Sequence, residues 1–310
     1  MLLVVDEREV ERCVALLDLP GLMAHTLLAA ARGEAGGPVR ASLTTRDGVW
    51  FAAMPAWCGG TEPALGAKLV VAMPHNAARG LPTHRAVILL LDPRTGEPHA
   101  WVSAEGLTGA RTAAVSVVAT KTLAARPRGV HAILGAGAQA RAHVEAYARA
   151  ALPDRLVVWS RDPSRAEALA AYARERGIAT DVAHAADDAV RYADVITTCT
   201  AGAEPLFSAD AIADGAHVNA VGACVATRRE LPGSLVGAAS LVVDDVAAAR
   251  AEAGDVVLAV ADGNASWEGV VTLGHVLDGA RTRAGRVTVF VSLGVGVEDV
   301  AAAAAIVALG

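Results

Sequence analysis

The run Val130-His131-Ala132-Ile133-Leu134 is short and apolar, ends in Gly135-Ala136-Gly137-Ala138-Gln139-Ala140, and leads into a long helical pattern. Placed between a strand and a helix, that spacing suits phosphate binding. Gly135 permits a tight turn, Gly137 lets the backbone approach a pyrophosphate, and Ala140 is small enough for the helix to close on the strand. The helix start at Ala138 and Gln139 then offers free N–H groups and the positive end of a dipole. A lone GxGxxA also occurs as a plain structural turn; a second strand-helix-strand unit after it favours a dinucleotide. The next strand ends in Val157-Val158-Trp159-Ser160-Arg161, where an acid would be expected to bind a free ribose 2′-hydroxyl. Ser160 and Arg161, aided by Ser164 and Arg165, instead present hydroxyl and guanidinium groups suited to a 2′-phosphate. NADP(H) is therefore expected in preference to NAD(H), the bland alternative being that Arg161 is an ordinary surface arginine.

Three more cations stand in short ordered contexts: Arg40 in Pro38-Val39-Arg40, Lys68 in Gly66-Ala67-Lys68-Leu69-Val70, and Arg111 in Leu107-Thr108-Gly109-Ala110-Arg111-Thr112. Spacing alone makes each a solvated surface charge. Cys13, Cys58, Cys199 and Cys224 lie far apart with no CxxC pair and no His at zinc-ligand spacing, so neither a metal site nor a disulfide framework is expected.

The elements that must hold these residues follow from periodicity. A strand at Leu2–Val5 and a helix from about Glu7 precede strand-like runs at Val39–Thr45, Val49–Pro55, Ala67–Met73 and Arg85–Asp92, separated by short turns that predict a mostly antiparallel or mixed sheet. A helix over Leu107–Ala125 bridges to a second region. From Val130 onward strands and helices alternate through Val243, which predicts a doubly wound parallel sheet. Val287–Leu309 reads as a strand, a Ser292-Leu293-Gly294 turn and an Ala-rich helix expected to pack back on the first domain. The fold class expected is α/β, a Rossmann domain over 118–287 and a discontinuous α+β substrate-binding and dimerisation domain from 1–117 with 288–310.

Composition agrees. Hydrophobic residues make up 54% and aromatics only 4%, suiting close packing through small side chains. The net charge of −6 comes from intermixed acids and bases without the basic run of a nucleic-acid binder. The N-terminus lacks the order of a signal peptide, and apolar runs fall short of the ~20 residues that span a bilayer. A cytoplasmic protein without nucleic-acid or membrane partners is expected.

Taken together, Pro38–Arg40, Met54-Pro55-Ala56, Ala67-Lys68-Leu69-Val70, the Leu107–Ala114 segment, Gly135–Ala140, His217-Val218-Asn219-Ala220-Val221-Gly222-Ala223 and Ser292-Leu293-Gly294 resemble the ornithine cyclodeaminase/mu-crystallin family, in order along nearly the whole chain. The Val297-Glu298-Asp299 continuation is similar to its mu-crystallin, ketimine-reductase branch. The resemblance implies a homodimer built through the first domain and an active site facing the nicotinamide. It makes Arg40 and Arg111 a clamp for a substrate carboxylate and Lys68 the proton-transfer residue, with Thr83 and His84 lining the pocket. Thr112, Thr200, Val221 and Ser292 join Gly135, Gly137, Ala138, Gln139, Ser160, Arg161 and Ser164 around the cofactor, and no metal is implied. His84 is a candidate to share the proton role, set against a hydrogen-bonded structural histidine.

One departure narrows the chemistry. Cyclodeaminases and alanine dehydrogenases of this family carry an acid where Val221-Gly222-Ala223-Cys224 places cysteine. A thiol of ordinary pKa, roughly 8.5, is mostly neutral at pH 7 and cannot replace a carboxylate as ammonium partner or base. Glu230 is read as structural, and a nucleophilic Cys224 lacks a visible activating base. The leading expectation is NAD(P)H-dependent reduction of a ketimine carboxylate such as 1-pyrroline-2-carboxylate or 1-piperideine-2-carboxylate. The alternatives are an ornithine cyclodeaminase or alanine-dehydrogenase-like amino-acid oxidoreductase, which an acid beside Lys68 would revive, and a non-catalytic NADP-dependent binding protein.

Overall fold

Period-two alternation in the first hundred residues resolves into one seven-stranded sheet. The computed structural model describes residues 2–310, and the chain divides into two compact units: the part through Arg111 together with Gly294–Gly310, and Thr112–Leu293.

The first unit runs β1 (Leu3–Val5), α1 (Glu7–Leu16), α2 (Leu19–Ala31), β2 (Ala35–Gly36), β3 (Ala41–Thr44), β4 (Trp50–Cys58), β5 (Ala64–Ala72), β6 (His84–Leu91), β7 (Pro98–Ser103) and the start of α3 (Glu105–Leu123). Strand order is β1-β7-β6-β5-β4-β2, with β3 also on β4. Neighbours are antiparallel except β1 and β7. One face, carrying Ala52, Met54, Ile88, Leu90, Ala100 and Val102, is buried. Three elements depart from the sequence expectation. The strands β2 and β7 were not foreseen, and neither was α2, which is apolar nearly all round and so has no amphipathic period to betray it. Its start is nonetheless signalled, since Asp18 caps it by accepting from Gly21 N, with Pro20 in the first turn.

The second unit continues from α3 through β8 (Val130–Leu134), α4 (Ala138–Arg149), β9 (Arg155–Trp159), α5 (Pro163–Arg174), β10 (Thr180–Val182), α6 (Ala186–Val190), β11 (Val195–Thr198) and β12 (His217–Ala220). Then come α7 (Gly233–Ala238), β13 (Ala239–Val243), α8 (Val246–Glu252), α9 (Gly254–Ala261), β14 (Val271–Thr272), α10 (Leu273–Leu277) and β15 (Val287–Val291). Its eight strands lie in the order β10-β9-β8-β11-β12-β15-β13-β14 and are all parallel. The chain winds outward on both sides of β8, the topological switch point at which such sheets bind ligands.

The unit boundaries differ from those read in the sequence. β15 hydrogen-bonds between β12 and β13, so the second crossing falls at Leu293/Gly294 rather than at 287/288. The first falls at Arg111/Thr112, inside the continuous helix α3, rather than at 117/118. From Gly294 the chain rejoins the first unit as α11 (Gly296–Leu309), which packs on α2, β4, β5 and β6 as expected of the Ala-rich helix.

A buried polar network ties the second unit's core together. Asn219 donates to Thr120 and to Tyr147, and Tyr147 also bonds Thr197. His217 bridges Thr288 and Asn219, while His143 bridges the Gln139 carbonyl and Ser116. Burial pushes His131, His143 and His217 each down to about 4, so all three are neutral at pH 7.

Candidate active site

Strand register puts Lys68 at the middle of β5, opposite Met54 on β4 and Ile88 on β6, on the buried face. A lysine there needs a counter-charge, because removing an ammonium from water without one costs several kcal/mol. The first turn of α11 supplies it: Lys68 Nζ lies 3.1 Å from Asp299 Oδ1. The same oxygen accepts from Arg111 Nε at 2.9 Å, and Arg111 Nη1 donates to Glu298 Oε2 at 2.7 Å. Burial pushes Lys68 down to about 8; Asp299 opposes that shift, while Arg111 and Arg40 add to it. Asp299 moves the other way. Its burial would raise it, but the charges of Arg111 and Lys68 prevail and hold its carboxyl below the ordinary value.

Arg40 joins this cluster from the segment before β3. Its Nη2 donates to the Gly294 carbonyl at 3.5 Å. The Arg111 guanidinium lies over the same glycine: a Cβ on Gly294 would sit 2.5 Å from both terminal nitrogens, and φ is +74°. Only glycine suits that position. Both guanidinium groups therefore converge on one turn, and Nε and Nη1 of Arg111 serve the two acids. Thr83 and His84 lie elsewhere. Thr83 bonds His84 Nδ1 at 3.1 Å, and His84 stands opposite Ala72. Four residues separate Ala72 from Lys68, about 13 Å along a strand. The register keeps His84 from sharing a proton with Lys68.

In the second unit the expected cofactor residues gather at the carboxyl ends of five adjacent strands. Ser160 follows β9, Gly135 follows β8, Thr200 lies just beyond β11, Val221 follows β12, and Ser292 follows β15. Gly135 has φ +123°, and a Cβ there would lie 2.6 Å from the Cys199 carbonyl oxygen. Gly137 begins α4 with no side-chain cap, Ala138 is exposed, and a Cβ on Gly137 would meet nothing within 4 Å. The turn thus fits a pyrophosphate, with open space where the phosphates approach the helix N–H groups. Ala140 is fully buried against the strand. Gln139 begins the same helix, Ser292 is buried and its Oγ has no partner among the described residues, and Thr112 is buried on α3.

Arg161 is exposed beyond β9. Its neighbour Asp162 does not take the place of the missing acid: it caps α5, accepting from Ser164 N, Ser164 Oγ and Arg165 N. The Ser164 hydroxyl proton is engaged in that cap, which leaves Ser160 and Arg161 as the side chains beyond the strand end. Glu230 is structural, as read from the sequence. Its carboxylate accepts from Thr200 N at 2.6 Å and Gly222 N at 2.9 Å, tying together the loops after β11 and β12. A Cβ on Gly222 would lie 2.5 Å from that carboxylate. The Cys224 thiol donates to the Val221 and Ser292 carbonyls, contacts that stabilise a thiol rather than a thiolate nucleophile.

A sequence model described as the ornithine cyclodeaminase/mu-crystallin family matches residues 1–308. The chain belongs to that family. Ketimine reductase mu-crystallin of Mus musculus is 37% identical over 278 residues, covering 88% of this chain and 86% of the relative. Among solved structures, Thermococcus litoralis Delta(1)-pyrroline-2-carboxylate reductase in complex with NADH and L-proline has a TM-score of 0.92 at 28% identity, covering 98% of this chain and 96% of that one. An archaeal alanine dehydrogenase dimer with bound NAD has a TM-score of 0.90 at 31% identity, covering 98% and 94%. The chain therefore shares the architecture of nicotinamide-binding members of the ornithine cyclodeaminase/mu-crystallin family along its whole length.

Within this family member, Glu298 and Asp299 are the site residues that sequence reasoning left without a role. A signal existed: in Gly296–Leu309 they are the only charged residues of an otherwise apolar helix. Two acids on a buried helix demand buried cations, yet the sequence does not say which ones. Among the described residues, no group of three or more His, Cys, Asp or Glu side chains could hold a metal ion.

Proposed function

We propose that the chain reduces a ketimine carboxylate, of the type 1-pyrroline-2-carboxylate or 1-piperideine-2-carboxylate, to the corresponding amino acid. The observation that carries this reading is Lys68, a buried lysine held by one carboxylate beside two guanidinium groups. The ketimine reductase of Mus musculus and the Delta(1)-pyrroline-2-carboxylate reductase of Thermococcus litoralis, both similar to this chain, support it. A bound reduced nicotinamide dinucleotide supplies the hydride that adds to the imine carbon. Arg40 and Arg111 hold the substrate carboxylate and so fix the adjacent C=N bond. Lys68 gives a proton to the imine nitrogen, making an iminium that accepts hydride more readily. The neutral amine of Lys68 then regains its proton from water, so one imine, one hydride and one proton yield one amine. With its pKa near 8, Lys68 remains largely an acid at neutral pH without holding its proton too tightly.

NADPH is the proposed reductant, with NADH as the alternative. Arg161 beyond β9 and the commitment of Asp162 to a helix cap support the phosphorylated form, whereas the related structures carry NADH or NAD. A homodimer is proposed through the open face of the first unit's sheet. Val4, Leu43, Phe51, Trp57 and Trp101 stand exposed there, and strand register puts Val4 beside Trp101 and Leu43 beside Phe51. Apolar faces of this kind mark association surfaces, and the archaeal relative is a dimer. The four cysteines are free, which supports a reducing, cytoplasmic location.

Asp299 gives the second reading its footing, since the acid beside Lys68 that would revive amino-acid oxidation or cyclodeamination is present. Its Oδ1 is already shared between Lys68 and Arg111, however, so that oxygen is engaged by the protein's own cations rather than left for a substrate ammonium. The deciding experiment follows NADPH oxidation with both cyclic ketimine carboxylates, alongside ornithine without added reductant. Ketimine-dependent oxidation is expected; proline and ammonia from ornithine, with no ketimine turnover, would replace this reading by the second.

A further inference from the structure

Lysine is rare in this chain. Of its 27 lysine and arginine residues, only Lys68 and Lys121 are lysines. Lys121 is exposed on α3, whereas Lys68 is buried on β5. An ammonium packed between Met54 and Ile88 loses its hydration, and desolvation drives such an amine toward the neutral form. The charged groups facing it are Asp299 from α11, Arg111 from α3 and Arg40 from the segment before β3. Its cross-strand neighbours Met54 and Ile88 do not titrate. Two cations and burial thus favour loss of the proton, and one carboxylate resists it. Glu298, one residue earlier in the same helical turn, engages Arg111 instead.

We propose that Asp299 is a positioning residue of the reaction: Oδ1 keeps Lys68 an ammonium, fixes its orientation, and ties it to Arg111, so that the proton donor and the carboxylate anchor are held as one piece. This rests on the imine-reducing reading. Asp299 acts only through Lys68 and Arg111. Its own proton plays no part, because the neighbouring cations keep it ionised. Its position in the first turn of α11 adds the helix dipole to the forces holding that negative charge in place. Oδ2 has no hydrogen-bond partner among the described residues, so the hydrogen bonding of this carboxylate falls on the oxygen shared by the two cations.

The test is a pH titration by NMR of protein carrying carbon-13 at the lysine ε carbon. Two resonances are expected, with exposed Lys121 as internal reference. In the parent chain Lys68 should titrate near 8. Asp299→Asn should lower that midpoint by about one unit or more, and Asp299→Glu, which keeps the charge, should hold it within about half a unit. Imine reduction should follow: the alkaline fall of kcat in Asp299→Asn moves to lower pH by the same amount, and acidification restores activity, while KM for the reduced dinucleotide is unchanged. A parent midpoint at or below about 6 would overturn the proposal, because the ammonium would then not be held. An unshifted midpoint in Asp299→Asn, or a kcat reduced by one factor at every pH, would equally overturn it. Should Asp299→Asn fail to fold, the parent and Asp299→Glu titrations decide. Failure of the underlying reading looks different: no imine turnover by the parent chain while the Lys68 midpoint still moves with Asp299.

Discussion

Asp162, just beyond β9, is committed to the N-terminus of α5. Because its carboxylate caps α5, the acid nearest the expected ribose position is occupied, and the proposed 2′-phosphate contact falls to Arg161, with Arg165 also exposed nearby. Arg161→Ala should raise KM for NADPH by about tenfold or more and for NADH by less than about threefold, since a charge-assisted bond to phosphate is worth on the order of 1.5–3 kcal/mol. Steady-state kinetics with both cofactors checks this, and equal effects would remove the 2′-phosphate assignment. Lys68→Ala should cut kcat by about a hundredfold or more, with NADPH affinity measured by fluorescence unchanged. His84→Ala should leave kcat within about threefold, because strand register alone separates it by about 13 Å from Lys68. Activity should fall as pH rises through about 8, where Lys68 loses its proton. At this scale the sequence named Lys68, Arg40 and Arg111 only through family resemblance. Their own spacing looked like solvated charge, because the partners that bury Lys68 and Arg111 lie about two hundred residues away on α11.

Elements were more legible than their partners. β8, β11 and most of the alternating second unit were readable because buried parallel strands and their helices carry strong apolar periods. The helix α2 escaped because it is apolar nearly all round, and β15 was placed in the wrong unit because pairing between β12 and β13 has no local signature. The turn after β8 permits a direct test. Gly135→Ala puts a Cβ 2.6 Å from the Cys199 carbonyl at φ +123°, so dinucleotide affinity and stability should both fall. Removing Glu230 should be costly in another way. Glu230→Ala strands the half-buried amides of Thr200 and Gly222, so denaturant unfolding should show a loss of roughly 1–3 kcal/mol in all, water replacing part of what the carboxylate supplied.

For the whole molecule, sedimentation of the parent chain should give twice the 31.4 kDa chain mass, and Trp101→Arg on the open sheet face should shift it toward the monomer. The neutral histidine network predicts a pH response with a definite sign. A histidine held to about 4 when folded and free to reach 6.5 when unfolded stabilises the fold above 6.5 and loses that contribution as pH falls toward 4. Asp255, raised to about 7 chiefly by burial, works in the opposite direction over much of that range, so the histidine contribution must be isolated by substitution. His143→Asn should therefore be less stable at pH 7 but lose less Tm than the parent between pH 7 and pH 5 by calorimetry. By itself, the sequence determined the α/β class, the glycine-rich turn after β8 and the doubly wound unit that follows it, because each depends on local periodicity and on glycine or alanine at fixed offsets. Only the tertiary structure decided that Lys68 is buried, that Asp299 and Glu298 are its and Arg111's counter-charges, and that His84 is out of reach. Burial, strand register and the pairing of charges remote in sequence are properties of the packed chain, and no local pattern encodes them.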